Sequence, residues 1–378
     1  MPPPSAVVCR ACVSARLRAP IAPIRRQMVQ NSVYLPPMRQ VWITKAGAPE
    51  VLQVKDAPDP EPKAGEVRIA VEAAGINFAD IMARMGTYPD LPGIPYVVGY
   101  EVAGKIEAVG EGIDPSRIGE DVLSLCRFGG YSDKVAVPAN QVFRRPAGMD
   151  AKTGAALPVN YLTAWMLMIA MGGLKKGETV LVHSAGGGVG IAALQIAKHV
   201  GATVIGTASA GKHDALKAMG IDHCIDYRTE DFETRVMEIT GGAGVELILD
   251  AVGGDSFKKG FRILAPTGRL GMFGMSTTVT GKSRSVLSLL RMLRELPWFQ
   301  FNPVALMNEN KSVFGVNLGH MWDQVPRIEG WMHDLLELYE KGVVAPQVDA
   351  SFTFEEAAAA HHYIQDRKNF GKVLLTPT

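Results

Sequence analysis

At 378 residues and 47% hydrophobic content, the chain is long enough for two domains with cores of their own. A net charge of +1 offers no electrostatic footprint for nucleic acid, and four cysteines supply no disulfide framework, which makes a reducing, cytoplasmic setting the default. No apolar run approaches the roughly eighteen residues that a membrane-spanning helix needs.

In chain order, the first 37 residues carry five arginines (Arg10, Arg16, Arg18, Arg25, Arg26) and no Asp or Glu, so the rest of the chain is net acidic. Such a start has the composition of an organelle transit peptide, which would make the destination mitochondrial. The prolines at 2–4, 20, 23, 36 and 37 suit two other readings equally: a disordered extension, or a reading frame whose working start is Met38. Cys9 and Cys12 have no second pair to complete a metal site and read as incidental.

From Met38 the pattern becomes that of strands. Val67 to Ala73 alternates apolar and polar residues, and Val102 to Val109 and Tyr131 to Pro138 behave similarly, with Gly and Pro between them. Residues 38–160 are therefore expected to form a β-rich domain, a small barrel. From 161 to 305 strands and helices alternate, as a doubly wound parallel sheet requires, with strands at Thr179–Val182, Thr203–Thr207, Val245–Asp250 and Gly268–Gly274. Residues 306–378 are expected to supply the last strand of that sheet and then return to the first domain, with helices near Ile328–Glu340 and Phe354–Asp366 and a closing strand, Gly371–Leu375.

Between the strand Thr179–Val182 and the helical stretch Ile191–Lys198 runs His183-Ser184-Ala185-Gly186-Gly187-Gly188-Val189-Gly190. A glycine loop that opens a helix after a strand suits a dinucleotide pyrophosphate, because the backbone can come close and the helix start offers free amides. Ala185 stands where the first glycine of G-x-G-x-x-G is usual, so the context carries the match. Gly187, Gly188 and Val189 are the expected contacts. The second strand ends Thr207-Ala208-Ser209-Ala210-Gly211-Lys212 without the carboxylate that would accept from a ribose 2′-hydroxyl. Ser209 can donate to a 2′-phosphate and Lys212 can neutralise it, which predicts NADPH rather than NADH.

Three further stretches carry a family resemblance: Gly75-Ile76-Asn77-Phe78-Ala79-Asp80, then Gly86-Thr87-Tyr88-Pro89, then Pro95-x-x-x-Gly99-Tyr100-Glu101-x-x-Gly104. With the glycine loop and the ending Gly371-Lys372-Val373-Leu374-Leu375, they resemble the quinone oxidoreductase branch of the medium-chain dehydrogenase/reductases over residues 38–378. Within that branch, Gly206-Thr207-Ala208-Ser209-Ala210-x-Lys212-His213, Ile225-Asp226-Tyr227 and Val313 to Gly319 resemble the vesicle amine transport protein homologues, or synaptic vesicle membrane proteins. The resemblance implies an α/β chain: a GroES-like catalytic domain, an inserted Rossmann domain, and a C-terminal return to the first. It also implies pairing as a homodimer through the Rossmann sheet. Thr163, Tyr227 and Asn317 would be cofactor contacts, Tyr227 beside the 2′-phosphate, and Lys372 a weaker one. Asp80 and Asp250 recur in the family pattern and read as structural hydrogen-bonding groups. His361-His362 reads as a solvated helix edge.

Zinc enzymes of the superfamily carry a cysteine where this chain has Asn77 and a histidine where it has Tyr100, so no zinc site is expected. Without a Lewis acid, alcohol oxidation loses its means of lowering the proton affinity of the oxygen. Quinones and conjugated enones accept hydride readily and need only a hydrogen bond at the oxygen. The expected activity is hydride transfer from NADPH to such a substrate, with Asn77 orienting the nicotinamide or the carbonyl and Tyr88 bonding the substrate oxygen or walling the pocket. An enoyl-thioester reductase and a weakly catalytic NADPH-binding scaffold at organelle membranes are the alternatives. Lys282–Asn310, apolar with interspersed arginines, would touch a lipid headgroup layer or cover the cleft or dimer contact.

Overall fold

A computed structural model describes residues 37–88, 91–276 and 301–377. The arginine-bearing start up to residue 36, and the part of Lys282–Asn310 up to residue 300, lie outside these.

Strands β1 (Met38–Ile43) and β2 (Leu52–Ala57) form an antiparallel hairpin, joined on β1 by β4 (Tyr96–Val97). The larger mixed sheet is built on β3 (Glu66–Ile76), followed by helix α1 (Phe78–Arg84). Around β3 lie β5 (Glu101–Val109), β6 (Asp121–Leu125), β7 (Lys134–Pro138) and β8 (Val142–Arg144). The alternation read from the sequence holds: Val67, Ile69 and Val71 are buried on one face of β3. The antiparallel pairing of β3 with β5 shifts register between Val71 and Ala73, opposite Gly104 and Ala103. Gly104 is required there, because a Cβ would lie 1.9 Å from the Ala70 carbonyl oxygen.

Helices α2 (Ala151–Ala156) and α3 (Pro158–Trp165) lead to β9 (Thr179–Val182), α4 (Gly188–Val200), β10 (Thr203–Ala208), α5 (His213–Ala218), β11 (His223–Asp226), α6 (Phe232–Ile239), β12 (Val245–Asp250), α7 (Asp255–Arg262) and β13 (Leu264–Met272). After α8 (Pro303–Glu309), β14 (Ser312–Gly315) completes a six-stranded parallel sheet in the order β11-β10-β9-β12-β13-β14. The order reverses between β9 and β12, the point at which such sheets hold ligands beyond their carboxyl ends. The strands are apolar runs because helices cover both faces: Val180, Leu181, Ile205, Ile248 and Leu249 are fully buried. Each such side chain contributes about 1.5–3 kcal/mol by leaving water.

Helix α9 (Val325–Glu340) then brings the chain back to the first sheet through β15 (Val348–Thr353), α10 (Ala357–Gln365) and β16 (Lys372–Thr376). Strand β16 pairs antiparallel with β3, setting Val373 against Ile76 and Leu374 against Gly75. The last strand of the chain thus lies beside the start of α1. Among the described residues, no helix is long and apolar enough to cross a membrane.

The close contact at Gly104 and the open space at Gly330 give opposite expectations for the same substitution. Gly104→Ala should lower unfolding free energy by about 3 kcal/mol, since the added methyl meets backbone. Gly330→Ala, inside α9 with nothing near its Cβ, should raise it by about 1 kcal/mol. Urea unfolding monitored by circular dichroism reads both.

Candidate active site

The β16–β3–β5 register brings together two polar side chains 24 residues apart, Asn77 and Glu101, and a third, Lys372, that lies more than 270 residues beyond both. Glu101 is fully buried, Lys372 is 3% exposed and Asn77 is 8% exposed. The Lys372 ammonium is paired with Glu101 Oε1 and donates to Asn77 Oδ1 at 2.7 Å. Asn77 Nδ2 donates to the same Glu101 oxygen at 2.9 Å, and Glu101 Oε2 accepts the Val159 N–H of α3 at 2.7 Å. Gly75 has no room for a side chain, because a Cβ would sit 2.5 Å from Glu101 Oε1. The amide of Asn77 is thus held on both sides within the protein. Glu101 and the buried role of Lys372 were missed in the sequence, although Glu101 stands in the Gly99-Tyr100-Glu101 motif.

Asp80, also fully buried, accepts the backbone N–H of Asn77 at 2.7 Å and of Gly99 at 3.1 Å, fixing both approaches to this network. Burial pushes its pKa up to about 7, against the opposing pull of those N–H groups, Lys372 and the Tyr131 hydroxyl. Tyr131 leads to His361, which is fully buried and not the solvated edge expected from its alanine-rich helix. His361 Nδ1 lies 3.2 Å from a guanidinium nitrogen of buried Arg84. Burial, then the charge of Arg84, hold the imidazole well below its usual pKa. Its neighbour His362 faces outward to Glu50 at 2.6 Å. Asp250 is structural, as expected: it accepts from Val252 N, Gly253 N and Ser256 Oγ.

Tyr88 and Asn317, 229 residues apart, come together: the Tyr88 hydroxyl lies 3.3 Å from Asn317 Oδ1, which also takes the Gly319 N–H at 3.0 Å. The Tyr88 ring lies 5.9 Å from that of Tyr100.

The glycine loop takes its shape from several demands. Ser184 adopts a left-handed backbone (φ 57°), and Ala185 N–H bonds the Thr207 carbonyl at 3.0 Å, tying the loop to β10. A Cβ at Gly188 would lie 2.2 Å from Asn160 Nδ2, and one at Gly190 would lie 2.4 Å from the Ser184 carbonyl oxygen. These glycines therefore serve close helix packing. Gly187 caps α4 without a side-chain bond, so the amides of Gly188, Val189 and Gly190 face forward without intrahelical partners. Thr163 is buried on α3, three residues beyond Asn160 and so on the same face.

At the ends of β10 and β11 the structure gathers Lys212, Tyr227 and two residues not anticipated, Arg228 and Arg367. Ser209 begins the short turn that carries Lys212. Lys212 Nζ donates to the carbonyls of Arg367, at 3.0 Å, and Asn369, using two of its three protons to hold that loop. The Arg367 guanidinium lies 5.6 Å from the Tyr227 ring centroid. Burial opposes ionisation of Tyr227, but hydrogen bonds and charge from Arg367 and Arg228 outweigh it and draw its pKa below the usual phenol value. Burial likewise lowers the pKa of Lys212. The cluster suits a dianionic phosphate.

At the centre Asn77 and Tyr100 offer an amide and a phenol, the Glu101 carboxylate carries the Lys372 ammonium, and the Asp80 carboxylate accepts backbone N–H groups. Among the described residues, no group of three or more His, Cys, Asp or Glu side chains is arranged to hold a metal ion.

Two measurements follow from the buried charges. Lys372→Met strands Glu101 and should cost about 3–5 kcal/mol, whereas Lys372→Met with Glu101→Gln recovers most of it; chemical denaturation reads the cycle. Asp80 binds its proton more tightly folded than unfolded, so it stabilises the fold at low pH, and that contribution fades as pH rises toward and past about 7. The stability of wild type relative to Asp80→Asn should therefore decline from about pH 5 to about pH 8, and a flat difference would contradict the assignment.

Comparison with known proteins gives the family. A model of the alcohol dehydrogenase GroES-like domain matches residues 63–147, and a model of the zinc-binding dehydrogenase family matches residues 188–334. The synaptic vesicle membrane protein VAT-1 homolog of Rattus norvegicus is 40% identical over 347 residues, covering 90% of this chain and 85% of its own length. Among solved structures, mycobacterial Rv1454c complexed with NADPH superposes with a TM-score of 0.78 at 32% identity, covering 90% of this chain and 100% of its own. The CurK enoyl reductase gives 0.78 at 28% identity, with 90% and 99% coverage. A Pseudomonas syringae pv. Tomato DC3000 quinone oxidoreductase gives 0.78 at 28%, with 90% and 100% coverage. The chain belongs to the medium-chain dehydrogenase/reductase superfamily, an oxidoreductase family, and within it to the group of the VAT-1 homologues.

Proposed function

We propose that this chain is a zinc-independent, NADPH-dependent reductase acting on a quinone or an α,β-unsaturated carbonyl. The observation that carries the reading is the cluster of Lys212, Tyr227, Arg228 and Arg367 at the strand ends where an NADH-selective site would put a carboxylate. The relative solved with NADPH supports it. The first-turn amides of α4 receive the pyrophosphate, and Thr163 and Asn317 flank the nicotinamide half. When bound, the cofactor supplies a hydride, so that NADPH and one proton become NADP⁺ while a quinone becomes a quinol or an enone a saturated ketone.

The chain's own residues do the rest. Lys372 and Glu101 hold Asn77 rigid, so Asn77 presents its amide edge in one orientation and loses no rotamer freedom on binding. Tyr88, held near Asn317, walls the nicotinamide side. With no metal to polarise the substrate, activation falls to hydrogen bonds, which favours substrates whose accepted charge is spread by conjugation.

In this reading residues 38–160 form the catalytic domain and 161–305 the cofactor domain, while 306–378 supply the last strand of the cofactor domain, β14, and then return to the catalytic domain. The half-buried strand β14 is the sheet edge through which two copies pair as a homodimer. A peripheral membrane contact by Lys282–Asn310 belongs to the scaffold alternative. The likeness to the CurK enoyl reductase favours a second substrate class, enoyl thioesters.

Loss of NADPH and NADH absorbance with quinones, enones, crotonyl thioesters and simple aldehydes tests these readings together. Chelator-insensitive, NADPH-selective turnover of quinones or enones is expected. Preference for thioesters would favour the second substrate class, and tight NADPH binding without any turnover would favour a scaffold. In binding titrations, Arg228→Ala with Arg367→Ala should weaken NADPH at least about tenfold more than NADH, roughly one charge-assisted contact. Equal losses for both cofactors would remove the phosphate site.

A further inference from the structure

Tyr100 is 7% exposed, and its hydroxyl, buried from solvent, has no hydrogen-bond partner among the described residues. Buried hydroxyls are nearly always paired, because giving up water without a replacement bond is costly. The neighbouring phenols follow that rule: the Tyr96 hydroxyl donates to the Ala83 carbonyl at 2.7 Å, and that of Tyr131 lies 3.5 Å from His361 Nε2. Tyr100 is the exception among them.

Its surroundings are aromatic. The Tyr88 ring lies 5.9 Å away and the Phe128 ring 5.6 Å away, and Phe128 meets Tyr96 edge-on at 6.4 Å. The backbone beneath is fixed on both sides. Gly99 N–H is held by Asp80, the Tyr100 carbonyl accepts Cys126 N–H at 2.9 Å, and Glu101 anchors the polar network. Burial, with the nearby Asp80 charge, raises the Tyr100 pKa far above that of a free phenol, so the group keeps its proton at every physiological pH.

We propose that Tyr100 is the residue that binds the substrate carbonyl, its hydroxyl donating to the oxygen of a planar conjugated ligand that packs between the Tyr88 and Phe128 rings. The inference rests on the reductase reading and narrows its substrate class to flat, conjugated carbonyl compounds over aliphatic aldehydes. Half-buried Tyr88, on the coil after α1, turns aside to admit the ligand, while Tyr100 stays fixed by its neighbours. The unpaired hydroxyl is then a binding site kept at the expense of stability, and the ligand carbonyl completes it.

Tyr100→Phe in the full chain separates the possibilities, because it keeps the ring and removes only the orphaned group. The unliganded melting temperature should stay level or rise, and NADPH affinity should not change. The dissociation constant for duroquinone, titrated without cofactor so that no reduction occurs, should rise about tenfold or more, and kcat/KM should fall with it. Tyr100→Met, a second side chain without a hydroxyl, should reproduce the loss of binding. Unchanged duroquinone binding in Tyr100→Phe, or a melting temperature that falls in step with binding, overturns the inference and leaves the reductase reading intact. A wild-type chain that neither binds nor reduces any carbonyl probe overturns both.

Discussion

The buried pair of Lys372 and Glu101 is the constraint on which the rest of this structure depends. Taking two charges out of water is expensive, and an ion pair in the interior stabilises only when its remaining donors and acceptors are also met. Here they are met by Asn77 and by the backbone of Val159, so one carboxylate touches β3's end, α3 and the closing strand together. Lys372 reaches Glu101 only when β16 lies on β3 in the observed register. The pair therefore selects that pairing and, with it, the geometry of the site.

Behind this network lies a second polar layer. Asp80 holds the backbone on either side of it, and Tyr131, His361 and Arg84 continue the chain of groups to Gly47 and Gln365. Arg84 is fully buried, and desolvation draws its pKa down to about 10. Elements from both ends of the sequence contribute to this layer. Strands β3 and β5 to β8 and the closing strands β15 and β16 thus share one mixed sheet, while the parallel sheet supplies the glycine loop and the strand ends that carry Lys212, Tyr227 and Arg228.

Much of the fold was legible because its strands obey local rules. Thr179–Val182 and Val245–Asp250 are apolar runs between turn residues, and their bounds match those of β9 and β12. The stretch expected at Gly268–Gly274 is β13, which begins earlier, at Leu264, with an irregular left-handed residue at Thr267. What sequence could not show is contact at long range. Lys372 lies 295 positions from Asn77, and in isolation it reads as a lysine beside a glycine. His361 sits among alanines, and only the packing of α10 against the sheet reveals its burial. Arg367 joins Lys212, Tyr227 and Arg228 in the basic cluster through a loop that Lys212 ties down, again a contact between distant segments. Asn77 was found by its motif, but its amide is engaged within the protein, which makes it a fixed edge rather than a free donor.

Direct passage of hydride from cofactor to substrate carbon is the central claim, and isotope transfer tests it. The full chain would be supplied with NADPH carrying deuterium at both C4 positions and with a conjugated enone, and the product examined by mass spectrometry. The account predicts one deuterium per product molecule, bound to the β-carbon and not exchanged with water. A reduced product without deuterium, or bound NADPH that leaves the enone untouched, would contradict it.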